Sequence, residues 1–267
     1  MTPRKLHTLH RPAAGTSRHP PLLFVHGGYV GASCWDEFFM PYLSRRGFDC
    51  HALDLSGHGM SEGRERLHSF GLDDYAADVA RVAASLGEPP VLIGHSMGTA
   101  VVERVSEQQP PRAAVLMSPV PAMGTLAVTM KLALTEPAFF TEVTRASQGQ
   151  YSEKTLKLMR DVYYSPDMEP EDLLRFQFHF QPESSRAVTE LTLLGLRVPR
   201  RLPRIPALVL AGERDAVFSS SLLCFTAARW NARSIEIPRA GHTIMLDVHW
   251  EEAAEHVARW LEQQRWS

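Results

Sequence analysis

A serine framed by glycines at the end of an apolar run constrains this chain more than any other feature. Val91-Leu92-Ile93-Gly94-His95-Ser96-Met97-Gly98 reads as a buried strand passing directly into a helix, with Ser96 at the turn. A tight strand-to-helix reversal needs small residues two positions either side, because a side chain there collides with neighbouring backbone; Gly94 and Gly98 meet that need. Such a turn holds a hydroxyl out as a nucleophile, and the helix opening at Met97 points its free N–H groups toward it. Gly-x-Ser-x-Gly arises by chance in roughly one chain of this length and composition in fifteen, so its context must carry the reading.

That context is a repeated pattern. Leu22-Leu23-Phe24-Val25 is a short apolar run that ends in His26-Gly27-Gly28, and Phe48 to Leu55 is another that ends in Ser56-Gly57-His58-Gly59. Between Leu72 and Leu86 the apolar residues fall at helical spacing, with Asp73, Asp74 and Asp78 near the start. After Ser96 a helix to about Gln109 precedes apolar runs at Ala113 to Met117, Ile205 to Ala211 and Ser234 to Ile237, and a last helix spans about Trp250 to Gln264. Short strands, apolar on both faces and alternating with helices, predict an α/β fold with a mostly parallel sheet flanked by helices. Ligands then bind beyond the carboxyl ends of the strands, where the glycine-rich loops fall.

The alternation stops between about Pro119 and Arg204. Helical patterning alone is present there, at Leu126–Leu134, Pro137–Ala146, Glu153–Tyr163, Pro170–Phe180 and Ser185–Leu196. The expected organisation is a core of residues 1–118 and 205–267, with residues 119–204 inserted as a helical lid.

With 267 residues, 44% hydrophobic and 22% charged, the chain can bury a substantial core. A net charge of -2 leaves no field to attract nucleic acid or an anionic membrane. No apolar run approaches the roughly twenty residues of a membrane span, and Arg, His and Pro interrupt the stretch before Leu22, so a cytoplasmic protein with no membrane insertion is expected. Cys34, Cys50 and Cys224 are odd in number and lack metal-ligand spacing, which argues against a disulfide framework or a zinc cluster.

Serine is a weak nucleophile at neutral pH and needs a histidine to take its proton, oriented in turn by a carboxylate. Asp215 follows the apolar run that ends in Ala211-Gly212, and His242 lies in Ala240-Gly241-His242 after the next strand. Both fall at strand ends, in the order Ser, Asp, His.

Taken together, His26-Gly27-Gly28, Asp54 with Gly57-His58-Gly59 and Ser61, Gly94 to Gly98, Gly212-Glu213-Arg214-Asp215 and Gly241-His242 resemble the α/β-hydrolase fold superfamily along nearly the whole chain, in its serine esterase or lipase-like members. The resemblance implies Ser96 as nucleophile, His242 as general base and then acid, and Asp215 rather than Glu213 as the orienting carboxylate. It implies no cofactor and no metal. It places one oxyanion donor at Met97 and the other at Gly28, with Tyr29 as the alternative. His26 is expected to be structural, Asp54 to Ser61 to shape the far side of the core, and Trp35 to anchor packing.

The insertion is rich in Met and aromatic residues, more apolar bulk than a thin surface layer needs. Tyr29, His95, Met123, Phe139 and Phe178 are the candidates for a substrate pocket suited to a medium acyl or aromatic group. A small-molecule ester is therefore the expected partner. A thioesterase, lactonase, carbon–carbon bond hydrolase or cofactor-free perhydrolase would use the same triad. Outside enzymes, the alternative is a small-molecule receptor on this fold; such proteins often lose a triad residue, and none is missing here. Nothing in the sequence speaks to oligomeric state.

Overall fold

Four of the apolar runs are strands buried along their whole length: Leu22–Val25, Val91–His95, Ala113–Met117 and Ala207–Gly212. A computed structural model describes residues 4–197 and 201–266. Residues 1–3, 198–200 and 267, at the margins of the expected core and insertion, lie outside the described residues.

The strands are β1 (Thr8–Arg11), β2 (Leu22–Val25), β3 (Cys50–Leu53), β4 (Val91–His95), β5 (Ala113–Met117), β6 (Ala207–Gly212) and β7 (Arg233–Ile237), in the order β1-β3-β2-β4-β5-β6-β7. All neighbours run parallel except β1, which pairs antiparallel with β3. The helices are α1 (Ser33–Asp36), α2 (Phe39–Arg45), α3 (Leu72–Ser85), α4 (Met97–Ser106), α5 (Leu126–Thr135), α6 (Phe139–Ser147), α7 (Glu153–Tyr163), α8 (Pro170–Phe176), α9 (Ser185–Thr192), α10 (Leu223–Trp230) and α11 (Trp250–Gln263).

Alternate strand residues face opposite sides of the sheet, which splits the core in two. Phe24, Ile93 and Val115 pack with α2 and α11 on one side. Leu23, Leu92 and Leu116 pack with α3, α4 and α10 on the other. Helices α5 to α9 lie between β5 and β6, and α5, α6 and α7 share a smaller apolar cluster around Leu132, Phe139, Val143 and Leu158.

The edges depart from the expected pattern. Strand β7 exposes Arg233, Ser234 and Glu236, because an edge strand is not covered like a central one. Strand β1 carries no apolar signature and stands on its ladder to β3. Chain connections go one way from β2 to β3 and the other way from β4 onward, which puts the topological switch point between β2 and β4. A crevice forms at such a point, and here the loops after β2 and β4 flank it.

Candidate active site

The turn after β4 is as tight as its glycines suggest. Ser96 has φ 49° and ψ -120°, a backbone conformation that a non-glycine residue adopts only when its surroundings impose it. They do so at both glycines: a Cβ on Gly94 would sit 2.7 Å from the Gly98 carbonyl oxygen, and one on Gly98 would sit 2.4 Å from that of Val25. The Ser96 N–H donates to the Met117 carbonyl at 3.0 Å, tying the turn to β5.

Tertiary folding brings Ser96, His242 and Asp215 together. His242 Nε2 lies 3.0 Å from Ser96 Oγ, and His242 Nδ1 lies 2.8 Å from Asp215 Oδ2. The other Asp215 oxygen accepts the Val217 and Phe218 N–H groups at 2.9 and 2.7 Å, so the carboxylate is oriented from both ends. Two groups hold the His242 backbone: its carbonyl accepts from Ser118 Oγ at 2.8 Å and from His95 Nε2 at 3.0 Å. An imidazole placed this way can take a hydroxyl proton and stay in one tautomer. Glu213 is turned elsewhere, onto the Arg239 amide.

His95 is buried, and burial, followed by the nearness of His242, lowers its pKa to about 3. It is neutral and supports His242 from beneath. His26 is structural in the expected sense, since its Nδ1 donates to the Gly27 carbonyl and its Nε2 accepts the Leu55 N–H. Burial and the neighbouring His58 lower its pKa to about 4. Asp54 accepts from the Ala32 and Met60 amides and from His7, while Ser61 donates to its carbonyl, so this loop too is a packing device.

On the other side of Ser96, Met97 is the first residue of α4, and the amides of Gly28 and Met97 meet no protein acceptor among the described residues. Tyr29, at φ 64°, donates its N–H to Glu183 Oε2 at 3.3 Å. Of the two candidate oxyanion amides in the loop after β2, that of Tyr29 is therefore engaged, whereas that of Gly28 has no partner among the described residues.

A cavity of about 220 Å³ opens over Ser96 and His242. Tyr29 and Phe139 line it with Phe140, Tyr163, Phe180 and Phe218, and His95 forms part of its floor. Two expected pocket residues do not. Phe178 is 65% exposed, because the single turn that follows α8 points it outward and brings Phe180 inward. Met123 is 80% exposed beside a separate recess against α4 and α10. Apolar content alone does not reveal which way a side chain faces.

Glu183 carries no sequence signal for a role here. It reaches the cavity from the segment before α9, and its side chain and that of His58 are both fully buried, with Nε2 and Oε2 3.0 Å apart. Burial opposes its ionisation, but His58 and the Ser184 amide outweigh that and hold the carboxyl below the usual range.

The sequence profile of the alpha/beta hydrolase family matches residues 22–256. The chain belongs to this family. Individual relatives match this chain over shorter stretches: a pyrethroid hydrolase of Sphingobium wenxiniae is 30% identical over 96 residues, 36% of this chain and 34% of that protein. A non-heme haloperoxidase of Rhodococcus erythropolis is 39% identical over 85 residues, 32% of this chain and 30% of that one. The chain thus spans about a third of the length of these curated relatives. An esterase from Exiguobacterium antarcticum superposes with a TM-score of 0.75 over 97% of this chain and 96% of its own, at 15% identity, a likeness of fold. No helix among the described residues is long and apolar enough to cross a membrane.

Proposed function

We propose that this hydrolase cleaves carboxylic esters through an acyl-Ser96 intermediate. One observation carries the reading: the Ser96–His242–Asp215 relay, at 3.0 and 2.8 Å, opens directly into an apolar cavity. His242 takes the Ser96 proton as Oγ attacks the carbonyl carbon, and the amides of Met97 and Gly28 meet the oxyanion. His242 then protonates the departing alkoxide. Water repeats the sequence on the acyl group, giving its proton to His242 and releasing the acid and Ser96. No cofactor takes part in this scheme.

A cavity of about 220 Å³ is smaller than the roughly 300 Å³ at the low end for drug-sized ligands, and its aromatic walls favour a medium acyl chain or a single aromatic ring. In this reading the segment 119–204 acts as a lid that supplies Phe139, Phe140, Tyr163 and Phe180 to those walls, while Tyr29 and Phe218 come from the core. The free, exposed Cys224 thiol supports a cytoplasmic setting. The haloperoxidase match favours a second reaction on the same intermediate, in which hydrogen peroxide replaces water and a peracid leaves.

A fluorophosphonate probe tests the core of the proposal: it is expected to label Ser96, and an unreactive Ser96 in folded protein would point to a receptor. A series of p-nitrophenyl esters tests the pocket. Turnover should rise from acetate to medium chains, and activity confined to acetate would remove the acyl pocket from the proposal.

A further inference from the structure

The Glu183 carboxylate accepts four hydrogen bonds, two on each oxygen. Oε1 takes the Tyr75 hydroxyl at 3.0 Å and the Ser184 N–H at 2.6 Å; Oε2 takes His58 Nε2 at 3.0 Å and the Tyr29 N–H at 3.3 Å. A carboxylate offers only acceptors, so every donor around it is fixed in direction. Those donors come from α3, from the loop after β3, from the loop after β2 and from the inserted segment. A bare negative charge beside a developing oxyanion would raise the barrier, and the four donors on the carboxylate draw that charge toward themselves.

We propose that Glu183 is the positioning residue of the oxyanion loop. By holding the Tyr29 N–H in its left-handed turn, it keeps that amide away from the reaction centre and leaves the Gly28 N–H to pair with that of Met97. This rests on the acyl-serine reading.

Glu183→Gln puts a donor where an acceptor is required. It is expected to lower kcat about 10- to 100-fold with KM nearly unchanged, less than the roughly 10²- to 10³-fold of losing an oxyanion donor outright, because the Gly28 amide is misplaced rather than removed. Affinity for an alkyl boronate, which mimics the tetrahedral state, should fall in parallel, while an alkyl ether of equal size binds as before. Breaking a buried pair endangers folding, so His58→Asn/Glu183→Gln, which removes both partners, is measured alongside with the same expectation. Unchanged boronate affinity in the folded variants overturns the proposal, and so does an equal loss of boronate and ether binding. Ser96→Ala separates the two levels: retained turnover sinks the acyl-serine reading, whereas an inactive Ser96→Ala beside a fully active Glu183→Gln sinks only the role of Glu183.

A second, independent observation lies at the sheet edge. His10 on β1 and His51 on β3 are cross-strand partners, with rings stacked 4.3 Å apart at 6°. Each presents Nε2 to a different oxygen of Asp49 at 2.8 Å, and the three ligand atoms lie within 4.8 Å of one another. Four-coordinate zinc at about 2.0–2.1 Å from its ligands needs them roughly 3.4 Å apart, a small adjustment here because His10 is half-exposed and Asp49 and His51 are partly so. The geometry points to a surface site for a borderline divalent cation, completed by water, that would clasp β1 to β3.

Titration calorimetry of untagged protein with zinc chloride is expected to show one micromolar site, weakened at least tenfold in His10→Ala/His51→Ala with ester turnover unchanged. Saturating zinc should raise Tm by about 5 °C in the native chain alone. Equal zinc binding by the native and double-variant proteins, or none by either, overturns this site.

Discussion

The two sides of the cavity are held by different means. Around Ser96, His242 and Asp215, backbone does the holding: carbonyls a Cβ would strike, N–H groups on Asp215 Oδ1, and a His242 carbonyl gripped by Ser118 and His95. The opposite wall, Phe139, Phe140 and Tyr163, rides on α6 and α7, whose shared apolar cluster is small, while Met130 and Leu134 of neighbouring α5 stay exposed. In the proposed ester hydrolysis, reaction geometry resides in the first side and acyl preference in the second. A fold can therefore keep one chemistry while its substrates change.

The largest expected effect tests the first side directly. Ser96→Ala should lower kcat by about 10⁴- to 10⁶-fold, measured on p-nitrophenyl esters, with Tm unchanged. Acid should act on the same side through stability. His26 and His95 are neutral in the fold, with pKa values lowered to about 4 and about 3, whereas the unfolded chain takes up their protons below about pH 6.5. The unfolded state then binds more protons, so stability present above pH 6.5 drains away as pH falls toward 4, by on the order of 3 kcal/mol for each group. Urea unfolding between pH 7 and 4 reads this, and His95→Asn should flatten the slope.

Gly98→Ala is expected to cost about 3 kcal/mol in urea unfolding, because the Val25 carbonyl cannot retreat from the added methyl without disturbing β2. On the opposite wall, Phe140→Ala should be milder. It should reduce kcat/KM for medium-chain esters about tenfold, corresponding to lost apolar contact, and leave acetate turnover intact. If it slowed acetate as much as the longer esters, the division between the two sides would fail.

The parts visible in the sequence are those in which neighbouring residues share one constraint. Buried strands appear as apolar runs, and α3, expected between Leu72 and Leu86, spans Leu72–Ser85. A tight turn shows its glycines, and the helices expected between Pro119 and Arg204 are present as α5 to α9 with ends shifted by a few residues. Strand β1 was invisible because, of its four residues, three are exposed and only Leu9 is half-buried, so an edge this short carries no pattern.

By itself, then, the sequence determined the strand-and-helix alternation, the reversal at Ser96 and the order in which Asp215 and His242 follow strand ends. Local backbone sterics and burial impose these within a few residues of each other, so adjacent letters record them. Tertiary structure alone decided that Phe180 faces the cavity and Phe178 does not, that the Tyr29 amide is taken while the Gly28 amide meets no acceptor among the described residues, and that Glu183 meets a loop 154 residues away. Those outcomes depend on side-chain direction and on long-range hydrogen bonds, which arise only when distant segments pack and leave no mark on the residues beside them.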